Sequence, residues 1–354
     1  MEYIVSTRVA QYDLQAFTNL EPGRKQAIVP LLNMRGKNLY DVEKFAEQWG
    51  ETAYLFDVSR FLADAKSELI LQSGLNSPKG HYAAKRRLFD EVRHFNGAMI
   101  PVVGWGSEDP SRDIVQFMNG LLTDYERVAV RVSMQQEGSP LKLRMLLAAV
   151  PDPQRLIVIF DYESIERFGH PDLDPSGTLA ILLRSCRDAG IGRMATLSTS
   201  YPVDKPAKGQ SRIVSCRDVY WQIALQRQYP EYDLIFGDYG ATDPNAAVEF
   251  VPGMSVLPFA NYYSPEEWWQ KRLGEDKEFE RYVDLAREIR ALPFYHSDGF
   301  CWATTEFERI AGTRENYGSN GKWNAYKINQ HICAQLEFLQ AISTVQAPDG
   351  DEEE

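Results

Sequence analysis

No run in this 354-residue chain approaches the roughly 20 consecutive apolar residues that a membrane-spanning helix needs. Its opening, MEYIVSTRVAQYDLQAF, lacks the basic-then-apolar layout of a secretory leader. The expectation is therefore a cytoplasmic protein with no membrane association. Positive charge is also scarce: 38 Lys and Arg against 50 Asp and Glu leave a net charge of −12, which argues against nonspecific nucleic-acid binding, because neutralising phosphates needs clustered cations. The four cysteines, Cys186, Cys216, Cys301 and Cys333, form no CxxC, so neither a zinc site nor a disulfide framework is expected and the thiols read as reduced and buried. Five histidines show no HExxH or HxH spacing, which excludes a histidine-rich metal centre. Gly-x-Ser-x-Gly is absent, and Gly318-Ser319-Asn320-Gly321-Lys322-Trp323 lacks both the first glycine and the hydroxyl residue of a phosphate loop.

Apolar residues, by contrast, make up 44% of the chain, enough to build a large core and to exclude disorder as its general state. They recur as short β-type runs that end in polar residues: Tyr3–Arg8, Ala27–Asn33, Thr52–Asp57, Met99–Gly104, Val128–Ser133, Leu156–Asp161, Arg193–Ser198 and Asp233–Asp238. Between them lie segments with apolar residues at three- and four-residue spacing, such as LYDVEKFAEQWG, SGTLAILLRSCRDAG and SRIVSCRDVYWQIALQRQY. Eight β/α alternations are the count of a TIM-like (β/α)8 barrel, the preferred architecture. An open doubly wound sheet would share the local pattern, but no glycine-rich nucleotide loop follows the first run.

After residue 245 the pattern changes. Ala247–Val251 and Ser255–Asn261, separated by Pro-Gly-Met, read as an appended β-hairpin; a charged helix is expected from about Pro265 to Ala291, and a final helix near Trp323–Ile342. The expected organisation is a barrel over residues 1–245, a hairpin and helical extension over 246–345 completing the same globule, and a disordered acidic tail, 346–354.

Several of these residues resemble the Beta protein family of bacteria and phages. The resemblance is carried by Tyr3, by Tyr12-Asp13-Leu14-Gln15-Ala16-Phe17, by Ile28-Val29-Pro30-Leu31-Leu32, by Phe236-Gly237-Asp238-Tyr239-Gly240 with Asp243-Pro244, and by Asn261-Tyr262-Tyr263-Ser264 followed by Trp268 or Trp269. It implies a barrel protein from a prophage or anti-phage defence setting, with a neighbour-encoded, nuclease-like protein as its partner; no activity comes with it. Arg8 and Asn33 depart from the Lys and Glu that relatives often carry at these positions.

In a barrel the C-terminal ends of the strands converge on one mouth. Here they supply Asp57, Asp161 and Asp238 as candidate catalytic groups, with Glu163 nearby. Arg8, Asn33, Arg35, Arg131, Ser198 and Tyr239 are the candidate substrate-binding groups. Three readings stay open. Carboxylates and guanidinium groups together suit a divalent cation such as Mg2+ and an anionic, phosphorylated or nucleotide-like substrate, as in metal-dependent hydrolysis. A carboxylate pair also suits general acid–base work on a glycosidic bond. Third, and preferred, the chain is a non-catalytic ligand sensor or scaffold whose mouth binds a small ligand or phage component while its C-terminal helices hold a partner; against all three stands simple pairing of the charges inside the barrel.

Overall fold

In a computed structural model, residues 2–35, 38–61, 64, 67–169, 173–246 and 255–346 are described. Eight strands form one parallel sheet: β1 Tyr3–Arg8, β2 Ile28–Met34, β3 Tyr54–Val58, β4 Met99–Val103, β5 Val128–Ser133, β6 Leu156–Ser164, β7 Arg193–Thr199 and β9 Phe236–Asp238. The first seven neighbour one another in chain order, and β9 pairs with β1. Just before β9, Ile235 N–H donates to the Met194 carbonyl at 2.9 Å and its own carbonyl accepts from Thr196 N–H at 3.1 Å. This bridge brings the sheet's two ends together, so the fold is the (β/α)8 barrel that the alternation indicates.

Two apolar layers follow from the strand period of two. Ile4, Leu31, Leu55, Ile100, Val102, Ala129, Ile157, Ile159, Ala195 and Leu197 fill the barrel interior, while the alternate residues pack outward against the helices. Gly237 is required at the closing strand. A Cβ there would lie 2.7 Å from the Thr196 carbonyl oxygen and 3.4 Å from that of Ile4.

The remaining strands, β8 Ser211–Ser215, β10 Phe259–Tyr263 and β11 Glu267–Arg272, form a small antiparallel sheet with β11 central. This corrects two expectations. Residues 265–272 are not helical: Pro265 and Glu266 form a two-residue turn closed by the mutual Ser264 and Glu267 backbone bonds, and Trp268 is registered between Tyr263 and Val214. Aromatic cross-strand packing overrides the helical propensity of a charged segment. The helix in this region is Tyr282–Arg290. Likewise SRIVSCRDVYWQIALQRQY is helical only over Asp218–Gln228, because Ser-Arg-Ile-Val-Ser alternates as the edge strand β8. Of the expected hairpin, residues 247–254 lie outside the described residues, and β10 pairs with β11.

The C-terminal helix, Asn320–Gln346, packs against β10 and the helix Gln11–Thr18, which docks the extension onto the barrel. Among the described residues no helix is long and apolar enough to cross a membrane.

Candidate functional site: a filled barrel mouth joined to a buried seam

The inward-facing ends of β2, β3, β5 and β6, with Tyr239 just beyond β9, place Asn33, Asp57, Arg131, Asp161 and Tyr239 in one buried cluster. Arg131 is its centre. Nε donates to Asp161 Oδ2 at 2.8 Å, Nη1 to Asn33 Oδ1 at 2.6 Å and Asp57 Oδ2 at 3.3 Å, and Nη2 to Tyr239 Oη at 2.9 Å. The Tyr239 hydroxyl donates to Asp161 Oδ1 at 2.5 Å. Lys85, fully buried on the helix Lys79–Phe95, donates to Asp57 Oδ1 at 2.8 Å. Two cations thus face two carboxylates. Burial pushes the Asp57 pKa up, but the Lys85 and Arg131 charges outweigh it and hold the carboxyl below its usual range. Burial and the Asp161 charge raise the Tyr239 phenol well above its ordinary value, so it remains a donor.

The space above this cluster is small. Phe61 lies 5.2 Å from the Arg131 guanidinium carbon and edge-on to Tyr239. The gap bounded by Arg8, Asn33, Phe61, Asp64, Tyr239 and Thr242 measures about 10 Å3, the room of about one water molecule. Arg8 closes the rim: its Nη2 donates to the carbonyls of Asp243, Pro244 and Ala246, and its Nε lies 3.6 Å from Asp64. Arg35 faces the other Asp64 oxygen at 3.5 Å, and Arg167 holds Asp243 at 2.6 Å. Glu163, at positive φ, bonds Ser133 and Asn245, and burial next to Asp161 raises its pKa.

Asp238 and Ser198 are not part of the mouth. Asp238 is registered with outward-facing Val5, so its carboxylate enters the seam between barrel and extension. There Oδ2 accepts from Tyr3 Oη at 2.6 Å and His331 Nε2 at 2.7 Å, and Oδ1 accepts from Gly240 N–H at 2.8 Å. His331 stacks on Trp268 and meets Tyr263 edge-on at 4.1 Å. Its Nδ1 is buried with no hydrogen-bond partner among the described residues. Ser198 accepts from Gln222, which also donates to the Gly237 carbonyl. Close by, Asp218 accepts from Ser200; burial and the Asp238 charge raise its pKa to about 6.

Sequence reasoning placed the polar strand ends together but missed Lys85, His331, Asp218 and Gln222, which come from helices. Strand parity was the available signal for separating Asp238 from Tyr239. Among the described residues no group of three His, Cys, Asp or Glu side chains is arranged to hold a metal ion; Asp57 and Asp161 are instead paired with cations.

The family model described as Beta protein matches residues 3–337. The chain is 21% identical over 365 residues to "Protein beta" of Enterobacteria phage P4, an alignment covering 96% of this chain and 94% of that protein. Tyr3, Asp238, Tyr263 and Trp268, which carry the family resemblance, meet around His331.

Proposed function

Because this chain belongs to the Beta protein family, we propose that it is a cytoplasmic, phage- or prophage-associated or anti-phage defence component that works as a ligand sensor or scaffold with a neighbour-encoded protein. The observation that carries this reading is the pairing inside the mouth. Asp57 and Asp161 are paired with Lys85 and Arg131, so among the described residues these two carboxylates are not free to act as acid, base or metal ligand. A ligand that opened this network would do so by binding the opened mouth more tightly than the filled one. The neighbours Asp238 and Tyr239 join that network to the helix bearing His331, so opening the mouth would be felt in the extension, where a partner would sit.

The metal-dependent hydrolase reading has less support, because Asp238 faces away from Asp57 and Asp161. The deciding experiment is copurification of the tagged chain from its native gene neighbourhood during phage challenge, alongside turnover assays on phosphoesters with Mg2+ or Mn2+. The expected result is a defined neighbour-encoded protein held by wild type, released by Asp238→Asn in a still-folded chain, and no turnover. Metal-dependent turnover abolished by Asp161→Asn in a folded protein would overturn it.

A further inference from the structure

The small antiparallel sheet has two edges, β10 and β8, on either side of β11. Along β10 the mutual Ser264 and Glu267 bonds and the bond from Leu273 N–H to the Pro258 carbonyl set the phase of the ladder. The backbone groups of Phe259 and Tyr263 therefore point away from β11. Side chains take them up. Gln330 Oε1 accepts from Tyr263 N–H at 3.0 Å, Gln330 Nε2 donates to the Tyr263 carbonyl at 2.8 Å, and the Tyr282 hydroxyl accepts from Phe259 N–H at 3.3 Å.

The β8 edge is bare. Its phase is set by Cys216 N–H donating to the Glu266 carbonyl at 2.8 Å and Arg272 N–H donating to the Gln210 carbonyl at 3.3 Å. Even-numbered residues thus bond β11, and the N–H and C=O groups of Ser211, Ile213 and Ser215 face away from it. Among the described residues none of these groups has a hydrogen-bond partner, and all three residues are exposed, Ile213 at 57%. The strand lacks the features that blunt an open edge. It contains no proline, and its register with β11 runs unbroken from Ser211 to Ser215. Its one charge, Arg212, is committed to Gln270 Oε1 at 2.9 Å and to the Asp204 carbonyl.

At Ser215 the edge meets an open depression of about 780 Å3 bordered by Arg217, Tyr220, Trp221, Glu266 and Glu267, where Tyr220 is 49% exposed. Two glutamates face one arginine there, and the whole chain carries −12. That balance opposes the approach of a second copy and favours a basic segment. We propose that β8 is a docking edge for an extended, positively charged segment of a partner protein. The segment adds a fourth strand through Ser211, Ile213 and Ser215 and lays a Lys or Arg side chain against Glu266 and Glu267. As the contact of a scaffold with its partner, the site rests on that reading of the chain's function. Backbone hydrogen bonds supply the affinity, and Ile213 with the two glutamates the selectivity. Val214 is registered with Trp268, which stacks on His331, so the docked segment extends the sheet that packs on the Asp238–His331 seam.

The test titrates the full-length protein into a fluorescein-labelled Lys-Val-Thr-Val-Thr-Lys amide probe and follows its anisotropy. The expected result is saturable binding that weakens about tenfold or more when every internal amide is N-methylated, when both lysines become glutamates, and in Ile213→Pro. That proline removes an N–H that β11 does not use, so the ladder survives. Ile213→Lys puts a charge on the edge and should weaken the probe equally, which keeps the test decisive if the proline variant does not fold. The proposal is overturned if the N-methylated or glutamate peptide binds as well as the probe, if the folded Ile213 variants retain it, or if no binding is seen up to about 1 mM. It is overturned also if wild type dimerises and excludes the probe while Ile213→Lys stays monomeric, since the occupant is then a second copy. Copurification separates this site from the scaffold reading. A neighbour-encoded partner retained by both Ile213 variants removes the site and leaves the scaffold, whereas probe binding by a wild type that retains no partner removes the scaffold and leaves a site for basic peptides.

Discussion

Asp238 and Tyr239 are consecutive residues whose side chains serve opposite sides of the barrel wall. Asp238 takes the His331 imidazole at 2.7 Å outside it, and Tyr239 donates to Asp161 at 2.5 Å within. The strand period of two makes this unavoidable, and the glycines on either side allow it. Gly237 admits the β7 backbone, and Gly240 adopts φ +51 with its Cβ position 3.1 Å from a Val5 methyl.

Tyr239→Phe removes one hydroxyl and leaves both Arg131 Nη2 and Asp161 Oδ1 short of a buried partner. Urea denaturation should show a loss of about 1–3 kcal/mol with the far-UV spectrum unchanged. Unchanged stability would mean that the mouth is more hydrated than the buried cluster implies.

Lys85→Met fills a similar volume but withdraws one of two cations from Asp57. Breaking a buried pair from one side costs about 3–5 kcal/mol. The double variant Lys85→Met with Asp57→Asn should be less destabilised than the sum of the two single changes, which a double-mutant cycle measures directly.

The pH dependence follows from Asp218, whose pKa rises from 3.8 to about 6 on folding. Between these values the folded state binds more protons than the unfolded one, so this group's contribution to stability falls as pH rises through the window. The penalty is complete above about pH 6 and absent well below 3.8. A shift of this size corresponds to about 3 kcal/mol at neutral pH. Asp218→Asn retains an acceptor for Ser200 and should therefore be stabilising, with its advantage over wild type larger at pH 7.5 than at pH 4.5. An equal difference at both pH values would remove Asp218 as the source.

Gly237→Ala tests the barrel closure. The added methyl meets the Thr196 carbonyl, and relieving that contact requires β9 to move from β7. Overpacking of this kind costs about 1–3 kcal/mol, which calorimetry would register as a lowered Tm without change in the Asp218 pH profile.

The barrel was legible in the sequence because its signals are local. Eight apolar runs with polar ends, separated by amphipathic segments, leave few ways to bury both faces of a parallel sheet, and the polar ends at Asp57, Arg131 and Asp161 fall where the runs predict. Pairing across the fold was not legible. Trp268 and Trp269 sit in a stretch that reads as helix and became a central strand only because β8 and β10, more than 40 residues apart in sequence, flank it. The sequence leaves Asp57 and Asp161 open between free carboxylates and charges paired with Arg131, and gives no sign of Lys85, which reaches Asp57 from a helix. Asp238 looks like a mouth residue until its register with Val5 turns it toward His331, 93 residues away. Periodicity fixes which side of a strand a residue faces and how the chain repeats, whereas the partner of a buried charge is set by what packs against it, and that depends on contacts distant in sequence.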